Sequence, residues 1–305
     1  MAEKLQSNTG HYDEQHDGAD IDRPYSAGQR GPECAEPTGD SCFVCRRVRG
    51  RWHVMHPPPS EPQMQTVRSV AYKLVKRAVD SVRPQHINNH DPFVRWLTVI
   101  TPGFLHYGNP HLFDYAIERL PSTAPMVEIG SYCGLSTNVI TYYKAKHGRT
   151  NQLITCDRWI ITPAQVQSVE SLNISPGRFN TYVKDTFRRS VKMFSGNDLP
   201  HSMEMYSDEF FTKWASGAQV TDVFGRQASL GGPISFAYID GDHSYEYAMR
   251  DFENCDKFLE RGGFILFDDS ADGADFGSCR AAREAAASNH YELVAKNPNY
   301  LIRKL

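Results

Sequence analysis

The chain has 305 residues, a formal net charge of −3 and 40% hydrophobic residues. Near-neutrality leaves no footprint for a general nucleic-acid binder, and no apolar run approaches the roughly 20 residues of a membrane span. Seven scattered cysteines, an odd number, do not read as a disulfide framework. With a polar N-terminus that lacks a signal-peptide core, the expected compartment is a reducing cytoplasm.

Residues 1–60 are rich in Gly, Pro and charge and end in Pro57-Pro58-Pro59. Such a segment cannot bury enough apolar surface to offset its ordering entropy and is expected to be a disordered tail. Inside it, Cys42-x-x-Cys45 precedes His53-x-x-His56. These are zinc-type ligands, but the gap between the pairs is shorter than in the usual finger, so chance clustering is the favoured reading. The run Arg46-Arg47-Val48-Arg49-Gly50-Arg51 reads as solvated charge, with recruitment of a partner or RNA by a zinc-bound segment as the alternative.

Residues 61–123 read as a helical extension. Val67, Val70, Ala71, Leu74, Val75, Ala78 and Val79 form a stripe at helical spacing over 64–82. A helix docked on the domain or at a subunit contact is favoured over one on a membrane surface, which keeps a homo-oligomer open. A second helix is predicted over His111–Leu120, before Pro121.

From 124 to 305 short apolar runs alternate with helical stretches. Strands are predicted at Met126–Ile129, Gln152–Cys156, Ser202–Tyr206, Ile234–Ile239, Gly263–Phe267, Tyr291–Lys296 and Tyr300–Lys304. Helices are predicted at Ser136–Lys146, Ser244–Glu260 and Phe276–Ser288. Asn297-Pro298-Asn299 reads as the turn of a terminal hairpin. The fold class is α/β: a doubly wound, mainly parallel seven-stranded Rossmann-like sheet with a C-terminal antiparallel hairpin.

The most informative segment is Val127-Glu128-Ile129-Gly130-Ser131-Tyr132-Cys133-Gly134-Leu135-Ser136-Thr137. Glycine at a strand-to-helix turn permits positive φ and close approach of a ligand, and the helix start offers free N–H groups. Tyr132 stands where the dinucleotide fingerprint needs a second glycine. The loop instead resembles the first motif of class I S-adenosylmethionine (SAM) methyltransferases. In such sheets ligands sit beyond the carboxyl ends of the strands, where Glu128, Asp157, Asp240 and Asp268 fall. Asp157 is placed to accept from ribose hydroxyls. Asp208 is read either as an adenine contact or as a helix N-cap.

The sharpest signal is Ile239-Asp240-Gly241-Asp242-His243-Ser244-Tyr245-Glu246 together with Asp268-Asp269-Ser270. Carboxylates packed at neighbouring strand ends repel unless a cation lies between them, and oxygen-only ligation suits Mg²⁺ or Mn²⁺. These blocks and the glycine loop together resemble the SAM-dependent O-methyltransferases of macrolide sugars (macrocin and mycinamicin) and aminocoumarins, over roughly residues 100–305. The resemblance implies that Glu128, Gly130, Ser131, Gly134, Ser136, Thr137 and Asp157 hold SAM, with Asp208 as a further contact. It implies that Asp240, Asp268 and Asp269 hold Mg²⁺. Family members place the base at Asp242 or at His243, and both are present; His243 is preferred because imidazole titrates near neutrality.

The expected activity is transfer of methyl to a hydroxyl of a small molecule, a vicinal diol on a sugar or catechol-like ring. The polar stretch from Arg158 to Leu199 is expected to be a substrate lid. The rival readings are a nicotinamide-dependent oxidoreductase and an inactive binding protein on the same fold.

Overall fold

The computed structural model describes residues 91–160, 166 and 170–305, and the backbone of 44–48 and 51–55. The chain divides into two units, Met1–Ser81 and Val82–Leu305. In the first, strands β1 (Val44–Val48) and β2 (Arg51–Met55) form an antiparallel ribbon. Cys45 stands opposite Val54, and His53 opposite Arg46, so the two zinc-type residues are out of phase in the two-residue alternation of a ladder. Cys42, His56 and the helix expected over 64–82 lie outside the described residues.

In the second unit α1 (Pro92–Ile100) and α2 (Asn109–Glu118) come first. Asp91 caps α1, accepting from the N–H groups of Phe93 and Val94, and Pro92 follows it. That start signal was legible in the sequence, yet α1 lies outside the elements predicted there. β3 (Met126–Ile129), α3 (Leu135–Lys146), β4 (Leu153–Asp157) and α4 (Pro176–Phe194) follow. Next are β5 (His201–Glu204), α5 (Ser207–Ala215) and the hairpin of β6 (Gln219–Thr221) and β7 (Gln227–Ser229). β8 (Ile234–Ile239), α6 (Tyr245–Asp256), β9 (Leu259–Phe267), α7 (Gly277–Ala287), β10 (Tyr291–Lys296) and β11 (Tyr300–Lys304) complete it.

The main sheet has seven strands in the order β10-β11-β9-β8-β3-β4-β5. Its five-strand body is parallel, and β11 joins β9 antiparallel with β10 outside it. The predicted α/β class, the parallel sheet and the terminal hairpin are all present. The helix expected to reach Glu260 ends at Asp256. β9 starts before Gly262-Gly263, and a register shift between Ile234 and Phe236 accommodates the irregularity.

The central strands are buried on both faces, as β8 shows at every position, which is why they read as continuous apolar runs. One face packs against α5, α6 and α7 through Phe210, Trp214, Cys255 and Ala282. The other packs against α1, α2 and α3 through Leu97, Phe113, Ile117 and Tyr143. α1 and α2 therefore share the core of the sheet.

The stretch expected to be a lid contains the 19-residue helix α4, capped by Ser175 with Pro176 at its start. Phe179, Val183, Phe187 and Val191 recur every four residues, a stripe one row wide. Val183, Phe187 and Val191 pack with Cys133 and Trp159 in a separate small cluster over the glycine loop. Residues 176–194 are thus part of the scaffold. Among the described residues no helix is long and apolar enough to cross a membrane.

Candidate active site

The parallel register sets the site. Ile129 pairs with Cys156 on one side and Ile239 on the other, and Ile239 pairs with Phe267. The ladder bonds continue one residue further: Gly130 N–H donates to Cys156 O (2.9 Å), Asp240 N–H to Ile129 O (2.8 Å) and Asp268 N–H to Ile239 O (2.9 Å). The residues just past the strands, Gly130, Asp240 and Asp268, with Asp157 ending β4, are therefore neighbours in space.

A cavity of about 740 Å³ opens beyond these ends. Gly130, Asp157, Asp208, Asp240, Asp242, His243, Asp268 and Asp269, all expected from the sequence, line it. Glu128, Ser131, Gly134, Ser136 and Thr137 do not. Glu128 is fully buried and accepts from the hydroxyls of Ser136 (2.5 Å), Thr137 (2.6 Å) and Ser131 (3.4 Å). Burial raises its pKa to about 7 against those bonds. This group braces the loop from beneath, where the sequence reading had it meeting SAM.

The two glycines are also required by the protein itself. A Cβ on Gly130 would stand 1.9 Å from Asp240 O, and one on Gly134 would stand 2.7 Å from Val191 Cγ2. Both have positive φ, +82° and +88°. The space a Cβ would occupy is filled by the β8 end at Gly130 and by α4 at Gly134.

Asp157 turns toward the loop as well. Its Oδ2 accepts from the N–H groups of Ser131 and Tyr132 (2.8 Å each), and its Oδ1 accepts from Trp159 N–H (2.5 Å). Burial raises its pKa, opposed by these bonds. Asp208 is not the N-cap of α5, a place held by Tyr206. Its carboxylate accepts from Arg250 (3.0 Å) and Asn254 (3.2 Å) of α6.

On the opposite wall Asp240 and Asp268 lie within hydrogen-bond reach of each other. Burial, then the charge of Asp268, pushes the Asp240 pKa well above the ordinary carboxylate range. Burial and Asp268 raise Asp269 too, while His243 opposes the shift. His243 Nδ1 is 3.4 Å from Asp269 Oδ2, and Asp242 Oδ1 accepts from Ser244 N–H at the start of α6 (2.8 Å).

Comparison with known proteins bears on this arrangement. Residues 127–270 match a family described as a methyltransferase domain. The span runs from the glycine strand through the paired aspartates. An uncharacterized protein of Acanthamoeba polyphaga mimivirus is 26% identical over 167 residues, covering 53% of this chain. The chain spans 61% of that relative's length. Among solved structures the chain is similar to an SAH-bound Podospora anserina methyltransferase, at 12% identity and a TM-score of 0.45, covering 82% of this chain and 99% of that one. It is similar also to an SAH complex of a Bacillus cereus O-methyltransferase, at 12% identity, TM-score 0.43 and coverage of 75% and 96%. A calicheamicin methyltransferase gives 17% identity, TM-score 0.45 and coverage of 81% and 94%.

The cation expected from the sequence can be tested against the donors present. Among the described residues no group of three or more His, Cys, Asp or Glu side chains is arranged to hold an ion. Of the expected three, Asp240 and Asp268 lie within hydrogen-bond reach of each other, and Asp269 lies 3.4 Å from His243 Nδ1. Mg²⁺ commonly takes one or two carboxylates and completes its shell with water and substrate oxygens, and the pair fits that chemistry.

Asp251 also lines the cavity and was missed in the sequence. It is 2% exposed, its Oδ1 has no hydrogen-bond partner among the described residues, and burial raises its pKa to about 7. The signal was present: an aspartate on the same face of α6 as Ala248, Phe252 and Cys255 breaks an apolar stripe.

Proposed function

We propose that this chain is a SAM-dependent O-methyltransferase acting on a hydroxyl of a small-molecule vicinal diol, on a sugar or a catechol-like ring, with Mg²⁺ or Mn²⁺ held by Asp240 and Asp268. The observation that carries the reading is one cavity walled by the glycine loop on one side and by the carboxylate pair with His243 on the other. The methyltransferase-domain match over residues 127–270 supports it.

SAM brings an activated sulfonium methyl group, so the protein's task is to place an acceptor oxygen in line with it, a positioning worth several kcal/mol (~7 or more) in favourable cases. Bound cation chemistry of this kind lowers the pKa of a ligated hydroxyl. The chain's own residues do the rest. Glu128 and Asp157 hold the loop in one conformation, and the carboxylate pair faces the acceptor. His243 takes the proton from the acceptor hydroxyl. Its side chain is 38% exposed and lines the cavity, as does that of Asp242, whose Oδ1 accepts from Ser244 N–H.

His243→Ala is expected to slow transfer about 10²- to 10⁴-fold, the usual worth of a general base. An unchanged rate would move the base to Asp242. The reading as a whole is tested by calorimetric titration of SAM and SAH, with NADH as control. Micromolar binding of the sulfur compounds alone supports it. Binding of NADH alone would replace it with the oxidoreductase reading.

A further inference from the structure

Asp268 is 4% exposed and sits on a closed network of buried amides. Asn109, at the start of α2, is fully buried, and Asn299, in the β10–β11 turn, is 1% exposed. Asn109 Nδ2 donates to Asp268 Oδ1 (2.5 Å) and to Tyr238 OH (3.3 Å). Asn299 Nδ2 donates to the same Asp268 Oδ1 (2.6 Å) and to Asn109 Oδ1 (2.9 Å).

The orientation of both amides is forced. Ser270 N–H, which can only donate, gives its hydrogen to Asn299 Oδ1 (3.0 Å). Asn299 must therefore turn its NH₂ toward Asp268 and Asn109. Asn109 receives one of those hydrogens on Oδ1, so its own NH₂ also faces Asp268. Two donors converge on Oδ1 of Asp268, and among the described residues Oδ2 has no amide partner.

The two asparagines reach Asp268 from elements far apart in sequence. What brings them together is close approach at Gly108: the Asn297 side-chain Nδ2 donates to Gly108 O (3.2 Å), and a Cβ on Gly108 would stand 1.7 Å from Asn297 O. Only glycine lets the hairpin turn seat against the start of α2.

We infer that Asn109 and Asn299 are positioning residues, which pin one oxygen of Asp268 and present the other to Asp240 and to the divalent cation. The inference rests on the function proposed above. Partners of this kind orient a ligand carboxylate, and their loss typically weakens metal binding about 10- to 100-fold. Any carboxylate could sit at a strand end; two amides fixed by a backbone N–H restrict this one to a single rotamer.

The test is Mn²⁺ titration of the full chain, followed by water-proton relaxation, for wild type, Asn109→Leu and Asn299→Ala, with SAM calorimetry and thermal melts on the same preparations. The substitutions lie on different elements, so one reports if the other fails to fold. The expected result is Mn²⁺ binding weakened about 10- to 100-fold in a folded variant, with SAM affinity unchanged. Mn²⁺ affinity equal to wild type in a folded variant overturns the inference, as does unfolding of both, which would make the role structural. Wild type that binds SAM but no Mn²⁺ overturns it while leaving the methyltransferase reading intact. Failure to bind SAM overturns that reading instead.

Discussion

Asp240→Asn is expected to reduce methyl transfer by more than about 100-fold, beyond the loss an outer partner of a bound ion produces, while SAM affinity stays the same and the apoprotein becomes more stable. The two effects have one cause. Asp240 and Asp268 are carboxylates in contact in a largely buried position, and burial with mutual repulsion raises the Asp240 pKa well above its ordinary value of 3.8. A native state that binds a proton more tightly than the unfolded chain loses stability as pH rises from the unfolded pKa toward the native one. That loss begins near pH 4 and is already present at neutrality. Asparagine keeps the shape, cannot ionise and removes the loss. A gain of about 1 kcal/mol corresponds to roughly 2–4 °C in Tm for a domain of this size. Thermal melts in chelator at pH 5 and pH 8 should show the variant's advantage only, or mainly, at the higher pH. Full activity of the variant, or of wild type in EDTA, would remove the cation from the proposed function. A variant less stable than wild type at pH 8 would remove the repulsion argument.

Gly130→Ala is expected to lower stability on two separate counts. The added Cβ would stand 1.9 Å from Asp240 O and 2.6 Å from its carbonyl carbon, and both belong to backbone, which cannot rotate away. The residue also has φ of +82°, a conformation that costs an L-side chain about 1–2 kcal/mol. Displacing a packed backbone adds about 1–3 kcal/mol. A total near 3 kcal/mol corresponds to a fall of about 6–12 °C in Tm. Gly148 separates the two contributions: its φ is +61° with nothing within 4 Å of the added Cβ. Gly148→Ala should cost only the conformational part. Equal losses at both positions would mean that crowding at the β8 end contributes nothing.

Much of this fold is legible in the sequence. The seven strands appear within a residue or two of where alternation and apolar runs place them, except β9, whose first half runs through Gly262-Gly263. Of the four carboxylates predicted at strand ends, Asp157, Asp240 and Asp268 line one cavity because parallel register carries the residue after each strand to the same edge, while Glu128 is buried behind it. The helices α1 and α4 were missed although Asp91-Pro92 and Ser175-Pro176 are clear start signals. In α4 the apolar row is only one residue wide, and the polar remainder disguised it as a loop.

The roles within the glycine loop were not legible. A glycine pattern records that something comes close to the backbone, and it does not record what. At Gly130 the close neighbour is the carbonyl of Asp240, and at Gly134 it is α4. Likewise a carboxylate after a strand can face a ligand or turn back on its own chain, as Glu128 and Asp157 do.

Local pattern therefore determined the class of the fold, the order of its strands' chemistry and the edge at which the site lies, because periodicity and turn residues act over a few positions. Tertiary structure alone decided which acids face the cavity, that Asp240 and Asp268 come within hydrogen-bond reach, and that Asn109 and Asn299 meet at Asp268. Those outcomes depend on contacts across 159 and 31 residues of chain. No local spacing encodes them; they follow from the packing of α2 and the terminal hairpin against the same strand end.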